Sequence, residues 1–471
     1  MLEPLRNWLR VSRATKKRWI GYIGAVVFYL LITSLPLPNF EPDAQKALAV
    51  FGVAAFLWGT HALPLPVTAV LILFLLPVSG AMSSASTYEH FGNSAVFFIL
   101  GAFILSSPIV RSGLSSRIAF GVVSRFGRSQ NTLLGSILVL GAILSCVISA
   151  HAVAAMLFPI VLEVVRAAGV KPGGRFGLAA FLAMAWGVII GSNTTLLGGA
   201  RGPLAIGILQ NTTGQSIGFG KWMSCTVPLV LIMLVIAYSF LVRVVRGEKV
   251  SLKAARRFLE ARNRKLGTIS RRELVTAGIM LATITLWIAM GDRWGLDTVA
   301  FLGVSLAFMF GVADWREVQE DVNWGVFIMY GSAITLSAAL EETGAASELT
   351  QVVLSSGITS GAIVFAAIVA ISLLLTEFVS NSAAVAVLMP VALAIAEEFG
   401  ASAQAVTMAV TIPAGLGFML PVSTPAIAIA VSSGYVRPLS VLRWGVGLDV
   451  IGCILLLTMS RFYWPLVGLG W

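Results

Sequence analysis

Apolar residues in this chain run nearly unbroken for membrane-crossing lengths, separated by short polar or basic turns. The runs fall at 18–38, 44–62, 64–82, 94–112, 176–211, 222–243, 272–290, 295–313, 322–340, 402–434 and 440–463. A helix needs about 20 apolar residues to cross the hydrocarbon of a bilayer. Two longer segments, 131–168 and 360–398, are interrupted near their centres by Ser149-Ala150-His151 and Ser380-Asn381-Ser382. A double-length segment with a polar break reads as two half-helices meeting at a re-entrant tip. Non-helical backbone at that depth survives only where protein or an aqueous cavity covers it. The pattern therefore predicts an all-α polytopic membrane protein with about eleven transmembrane helices and two re-entrant hairpins.

Composition agrees. The 471 residues are 58% hydrophobic and 11% charged, with a mean hydropathy of +0.92, whereas soluble domains carry about 25% charged residues. A formal charge of +11 would suggest nucleic acid in a soluble protein, but here the basic residues sit between apolar runs and set topology. With the N-terminus inside, 27 of the 32 basic residues fall on one side of the membrane, eleven of them between Arg243 and Arg272. Arg128, in the loop after the fourth span, is counted with that side. The stretch 247–271 reads as a basic cytoplasmic linker lying against anionic lipid headgroups. The basic segment Met1 to Arg18 precedes a full-length span and lacks the form of a secretory signal. The bacterial inner membrane is the expected location. Cys146, Cys225 and Cys453 form no pair, and His61, His90 and His151 form no HExxH motif, so neither a disulfide framework nor a zinc site is indicated.

The chain also repeats. Asn93–Gly101, NSAVFFILG, resembles Asn323–Gly331, NWGVFIMYG, at an offset of 230. Ser149–Pro159, SAHAVAAMLFP, resembles Ser380–Pro390, SNSAAVAVLMP, at an offset of 231. An odd number of crossings between equivalent points inverts the second copy. The expected organisation is residues 1–43 as cytoplasmic N-terminus and first helix, 44–246 as a first repeat and 272–471 as its inverted second copy. Inverted repeats with broken helices are the usual build of secondary transporters, with the site near the midplane where the breaks meet.

Four breaks carry the chemistry: the two tips, and unwound stretches from Gly191 to Pro203 and from Pro413 to Pro425. Half-helix N-termini aim unpaired N–H groups and partial positive charge at a cavity, which suits an anion. Freed carbonyls with Ser, Thr and Asn oxygens suit Na⁺. Arg201 lies at membrane depth, where an unpaired charge costs several kcal/mol outside a wet cavity, so it is a candidate anion contact. Its alternative is a structural pair with Glu377 or Glu163. His151 reads equally as a site contact or a hydrogen-bonded core histidine. Ser149 or Ser380 with His151 lacks a third triad member, so no enzyme is expected.

Thr376–Ala383, TEFVSNSA, followed by Met389-Pro390, resembles the second tip motif of the divalent anion/sodium symporter (DASS) family, with Ser382 in place of Thr. Phe418–Pro425, FMLPVSTP, resembles the stretch completing that family's second sodium site, and Thr195–Gly198, TLLG, its first-repeat equivalent. The resemblance implies a Na⁺-coupled symporter of small divalent anions, dicarboxylates or sulfate, built as a homodimer with scaffold and transport domains that work by an elevator movement. Together with the readings of His151 and Arg201 above, the expected substrate contacts are Ser149, His151, Arg201, Ser380, Asn381, Ser382 and Thr424. The resemblance places one Na⁺ on Ser380, Asn381 and Thr424, and another on Ser149, Asn193 and Gly198. The first repeat departs from the family pattern, with Ala150 where Asn is expected and His151 where Thr is expected. Ser192-Asn193-Thr194 is spelled like the tip motif but lies on the broken crossing, where its oxygens could serve the first cation site. A sodium-independent or proton-linked anion carrier or exchanger remains the alternative, and coupling to fewer sodium ions than in relatives, one or none, is expected if Arg201 supplies the missing charge.

Overall fold

The computed structural model describes residues 3–36, 40–126, 129–354 and 360–470, with side chains described from Trp19 onward except at 352–354. Arg128 lies outside the described residues. The structure is all-α. It begins with α1 (Glu3–Ser34), α2 (Pro42–Thr60), α3 (Leu65–Ser79), α4 (Ser84–Phe91), α5 (Ser94–Arg111) and α6 (Leu114–Phe126). Then come α7 (Gln130–Ser145), α8 (Ala150–Ala167), α9 (Arg175–Gly191), α10 (Arg201–Thr213), α11 (Phe219–Val244) and α12 (Lys253–Lys265). The second half holds α13 (Arg271–Trp294), α14 (Leu296–Met309), α15 (Trp315–Asp321), α16 (Trp324–Glu342) and α17 (Ala345–Leu354). It ends with α18 (Gly361–Phe378), α19 (Asn381–Glu398), α20 (Ala403–Thr411), a 3₁₀ turn Pro413–Gly415, α21 (Pro425–Ser432) and α22 (Pro438–Phe462).

Eight of these helices are long and apolar enough to cross a membrane, and five more are apolar but shorter. The polytopic membrane fold follows. The two interrupted segments are helical hairpins, α7–α8 and α18–α19, joined by tips of a few residues. The two broken crossings are α9–α10 and α20–α21, with their non-helical stretches at 192–200 and 412–424. The first helix starts at Glu3 rather than near residue 18, because the basic stretch continues the same helix.

Helices leading into the breaks are buried all round. Every residue from Ala179 to Gly191 on α9 and from Arg201 to Leu209 on α10 is buried, as is every residue from Ala405 to Phe418. A helix apolar on all faces belongs in the middle of a protein. Hairpin and break meet at backbone distance: a Cβ on Gly187 would lie 2.1 Å from the Leu138 carbonyl oxygen, and one on Gly191 2.2 Å from Ala142 Cα. This small-xxx-small pair lets α7 lie directly on α9, the packing that brings membrane helices close. The linker carries α12, which buries Ala255 and Leu259 and packs on α6 and α8. Arg117 fastens it by donating to the carbonyls of Leu266, Gly267 and Thr268 and to Glu273.

Candidate functional site

The tips form because small polar residues cap the half-helices where the apolar run stops. At the first tip Ser149 is the N-cap of α8 without a side-chain bond, and the Ala150 N–H donates to the Gly198 carbonyl at 3.2 Å. Thr195 Oγ1 donates to the Cys146 carbonyl, tying the first break to this tip. Gly198 is confined: a Cβ there would sit 2.0 Å from the Ser145 carbonyl oxygen. At the second tip Ser380 caps α19 by accepting from the Ala383 N–H at 3.3 Å. Thr376 Oγ1 lies 2.9 Å from Asn381 Oδ1 and 2.7 Å from the Ala414 carbonyl oxygen. The one hydroxyl proton of Thr376 is shared between these two oxygens, which ties the tip to the second break. Thr424 caps α21 through the Ile427 N–H at 3.4 Å.

One cavity of about 660 Å³ gathers these elements. Ser149, His151, Gly198, Arg201, Ser380, Asn381, Ser382 and Thr424 all line it. The N-termini of α8, α10, α19 and α21 open onto it, so four helix ends contribute positive potential to one space. Its other wall holds Phe103, Val110, Val326 and Met329 from α5 and α16. Asn193 is the exception among the expected ligands. It stands behind Arg201, with its side chain buried among protein groups.

Arg201 sits where the two breaks cross. It is 6% exposed, and its Nη2 donates to Asn193 Oδ1 at 2.8 Å and Ser192 Oγ at 3.3 Å. The guanidinium lies flat over two glycines, since a Cβ on Gly199 would meet Nη1 at 2.2 Å and one on Gly415 would meet Nη2 at 2.0 Å. Asn193 Nδ2 reaches the Gly415 carbonyl at 3.3 Å, joining the breaks a second time. Neither expected carboxylate pairs with it. Glu377 accepts from the N–H groups of Met419 and Leu420 at 3.1 and 2.7 Å, and Glu163 pairs with Arg166. Among the described residues no carboxylate lies within ion-pair reach of Arg201.

Several groups at or behind the cavity wall carried no signal in the sequence. Tyr330, fully buried on α16, holds Ser382 Oγ at 2.7 Å. Asn323, His61 and Asp321 reach the cavity from loop ends and a short helix. Asp321 accepts from Arg111 at 2.8 and 2.9 Å and from Ser107 at 2.6 Å. The Arg111 guanidinium holds its carboxyl below the usual aspartate range.

Two helical hairpins and two broken helices meeting at one cavity define a polytopic transporter architecture. Residues 16–470 match the family described as the sodium:sulfate symporter transmembrane region. The chain belongs to this family of sodium-coupled anion symporters, the DASS family, and is a transporter rather than an enzyme. It is 26% identical to the sodium-dependent dicarboxylate transporter SdcS of Staphylococcus saprophyticus, over 96% of this chain and 93% of that protein. It is also 26% identical to an uncharacterized transporter of Haemophilus influenzae, over 96% of this chain and 98% of that one. Among solved structures the fold resembles the YdaH transporter of Alcanivorax borkumensis, with a TM-score of 0.57, 14% identity and coverage of 81% of this chain and 88% of that one. MtrF of Neisseria gonorrhoeae gives a TM-score of 0.58 at 14% identity, covering 80% of this chain and 82% of that one. At this identity both likenesses concern the fold alone.

Proposed function

We propose that this protein carries a small dicarboxylate through the membrane together with sodium, holding the anion between the two hairpin tips. The observation that carries this reading is Arg201, a buried guanidinium facing the cavity without a carboxylate partner. An uncompensated buried charge is costly, and a diffusible anion is the partner that such a cavity can take. The apolar wall from α5 and α16 favours a dicarboxylate over sulfate, because methylenes need an apolar face and sulfate has none. A cavity of this size suits a small organic ligand. The substrate contacts are then Ser149, His151, Arg201, Ser380, Asn381, Ser382 and Thr424. The relative SdcS is a dicarboxylate transporter by name, which supports the same choice.

In this reading Ser380, Asn381 and Thr424 hold one Na⁺. The site on Ser149, Asn193 and Gly198 gives way to Arg201, because the guanidinium already uses Asn193 Oδ1 and Ala150 already uses the Gly198 carbonyl. Residues 44–246 and 272–471 form two inverted repeats, supported by the shared order of paired helices, short helix, hairpin, broken crossing and closing helix. The hairpins and broken crossings move as a transport domain against a scaffold that includes α5 and α16, in a homodimer, by an elevator movement. The segregation of basic residues supports a cytoplasmic N-terminus and linker, in a bacterial inner membrane.

The test is uptake of labelled succinate into proteoliposomes under a Na⁺ gradient. Uptake should require Na⁺ and be displaced by unlabelled dicarboxylates at lower concentrations than by sulfate. Asn381→Ala should reduce uptake about 10- to 100-fold, the scale of losing one or two charge-assisted hydrogen bonds. Displacement by sulfate as readily as by dicarboxylate, or wild-type uptake in Asn381→Ala, would remove the assignment.

A further inference from the structure

Behind the second break, away from the cavity lining, lie two carboxyl groups with no cation. Glu377, on the last turn of α18, is fully buried, and its oxygens accept from the N–H groups of Met419 and Leu420. Asp449, on α22, is 2% exposed. Both of its carboxylate oxygens are buried, and the polar groups against them are the Phe418 backbone N–H, which Glu377 also faces, and the Glu377 carboxyl. The approach is built in: α22 touches the break at backbone distance, since a Cβ on Gly445 would lie 2.1 Å from the Phe418 carbonyl oxygen. Asp449 follows Gly445 by one helical turn and so faces the same strand of backbone.

Two carboxylates in contact both accept and neither donates, so as a bare pair they repel at short range in a dry site. One proton changes the sign of the interaction by making one group a donor. We propose that Glu377 and Asp449 form a proton-binding site in which a single shared proton fastens α22 to hairpin α18–α19 and holds the backbone 417–420 in place. Among the described residues, Cys453, one turn along α22, is the other titratable group against Asp449. On the elements packed around the pair, α20 and the 3₁₀ turn carry no charged residue, Glu397 and Glu398 lie at the far end of α19, and Lys221 and Arg243 lie toward the two ends of α11. The first hairpin has no equivalent, because three residues before its tip serine stands Cys146 rather than a carboxylate. The proton site belongs to the second repeat alone, next to the break that carries Thr424, and it does not depend on the identity of the transported anion.

Infrared spectroscopy of the purified full chain in lipid tests this. A carbonyl band of a buried protonated carboxylic acid, slow to shift in heavy water, should be present at neutral pH and lost in both Asp449→Asn and Glu377→Gln. It should survive saturating NaCl. In parallel, the melting temperature of the wild type should fall as pH rises from neutral to alkaline, because the folded pair holds a proton that separate carboxylates in the unfolded chain have released. That slope should flatten in Asp449→Asn, which cannot lose the proton. Absence of the band in the wild type, its persistence in both variants, its removal by Na⁺, or an identical pH slope in wild type and Asp449→Asn would each overturn the proposal. Wild-type spectra alone decide the first of these if either variant fails to fold.

Discussion

Gly415 and Gly199 come from opposite breaks, and together they make the slot that the Arg201 guanidinium fills. An added methyl at Gly415 has no room unless the guanidinium moves, and the group it would displace points at the anion site. Gly415→Ala should therefore raise the KM for succinate about 10-fold, the effect of weakening one charge-assisted contact by roughly 1.4 kcal/mol. Thermal stability should change little, because the displaced atoms are the end of a flexible side chain. An unchanged KM in a folded Gly415→Ala would show that the guanidinium does not orient the anion. Arg201 itself was legible from the sequence, as a charge at membrane depth beside a glycine-rich break. Gly415 was not, because the slot exists only once two distant breaks cross. Tyr330 was hidden for a related reason: it sits in an apolar run and becomes a polar partner only when Ser382 is brought to it.

Hairpins and breaks are elements that a sequence can announce, since Ser, Gly and Pro interrupt otherwise continuous apolar runs. The unwound stretches fall at 192–200 and 412–424, inside or within a residue of the segments bounded by Gly191–Pro203 and Pro413–Pro425. The short helices α4, α6, α15 and α17 were not legible, because they are too short or too mixed in polarity to stand out between spans. One of them, α15, supplies Asp321 to the cavity wall and is clamped to α5 by Arg111, with Ser107 adding a third bond. Arg111 first, and the Ser107 hydroxyl after it, hold the Asp321 carboxyl below its ordinary range while burial opposes them. A depressed carboxylate stabilises the fold at pH above its unfolded value, and that contribution is lost as pH falls through its folded value. The window therefore lies below about pH 4, the ordinary aspartate value. Because the clamp is partly exposed, solvent screening makes it weaker than a buried pair. Melting curves should show the wild type losing more stability than Asp321→Asn as pH drops through that window. Parallel losses would mean that α15 is held by apolar packing alone.

At the scale of the whole molecule the two repeats differ in what they put at the same place. The second keeps an amide and two hydroxyls at its tip and Thr424 at its break, all around one space. The first puts Ala150 and His151 at its tip, and Arg201 takes the oxygens of Ser192 and Asn193. The offset sequence matches are what suggest a duplication, but the contact between the breaks depends on how the halves interlock and has no local signature. A Na⁺ placed about 5 Å from the guanidinium would be repelled by roughly 3 kcal/mol at an effective dielectric of about 20. A fixed guanidinium supplies positive charge to the anion without drawing on an ion gradient, so the transporter should couple to one Na⁺ through its second repeat. The initial rate of succinate uptake should then rise hyperbolically with Na⁺, with a Hill coefficient near one. Arg201→Ala should weaken the anion about 10- to 100-fold without steepening the Na⁺ response. Among the described residues, two buried hydroxyls beside the first tip, Ser145 Oγ and Thr194 Oγ1, have no partner beyond the Cys146 thiol against Thr194, and they are the oxygens through which the idea can fail. A Hill coefficient near two in the wild type that persists in Arg201→Ala and falls to one in Ser145→Ala would place a second Na⁺ on those hydroxyls and return Arg201 to a purely structural role.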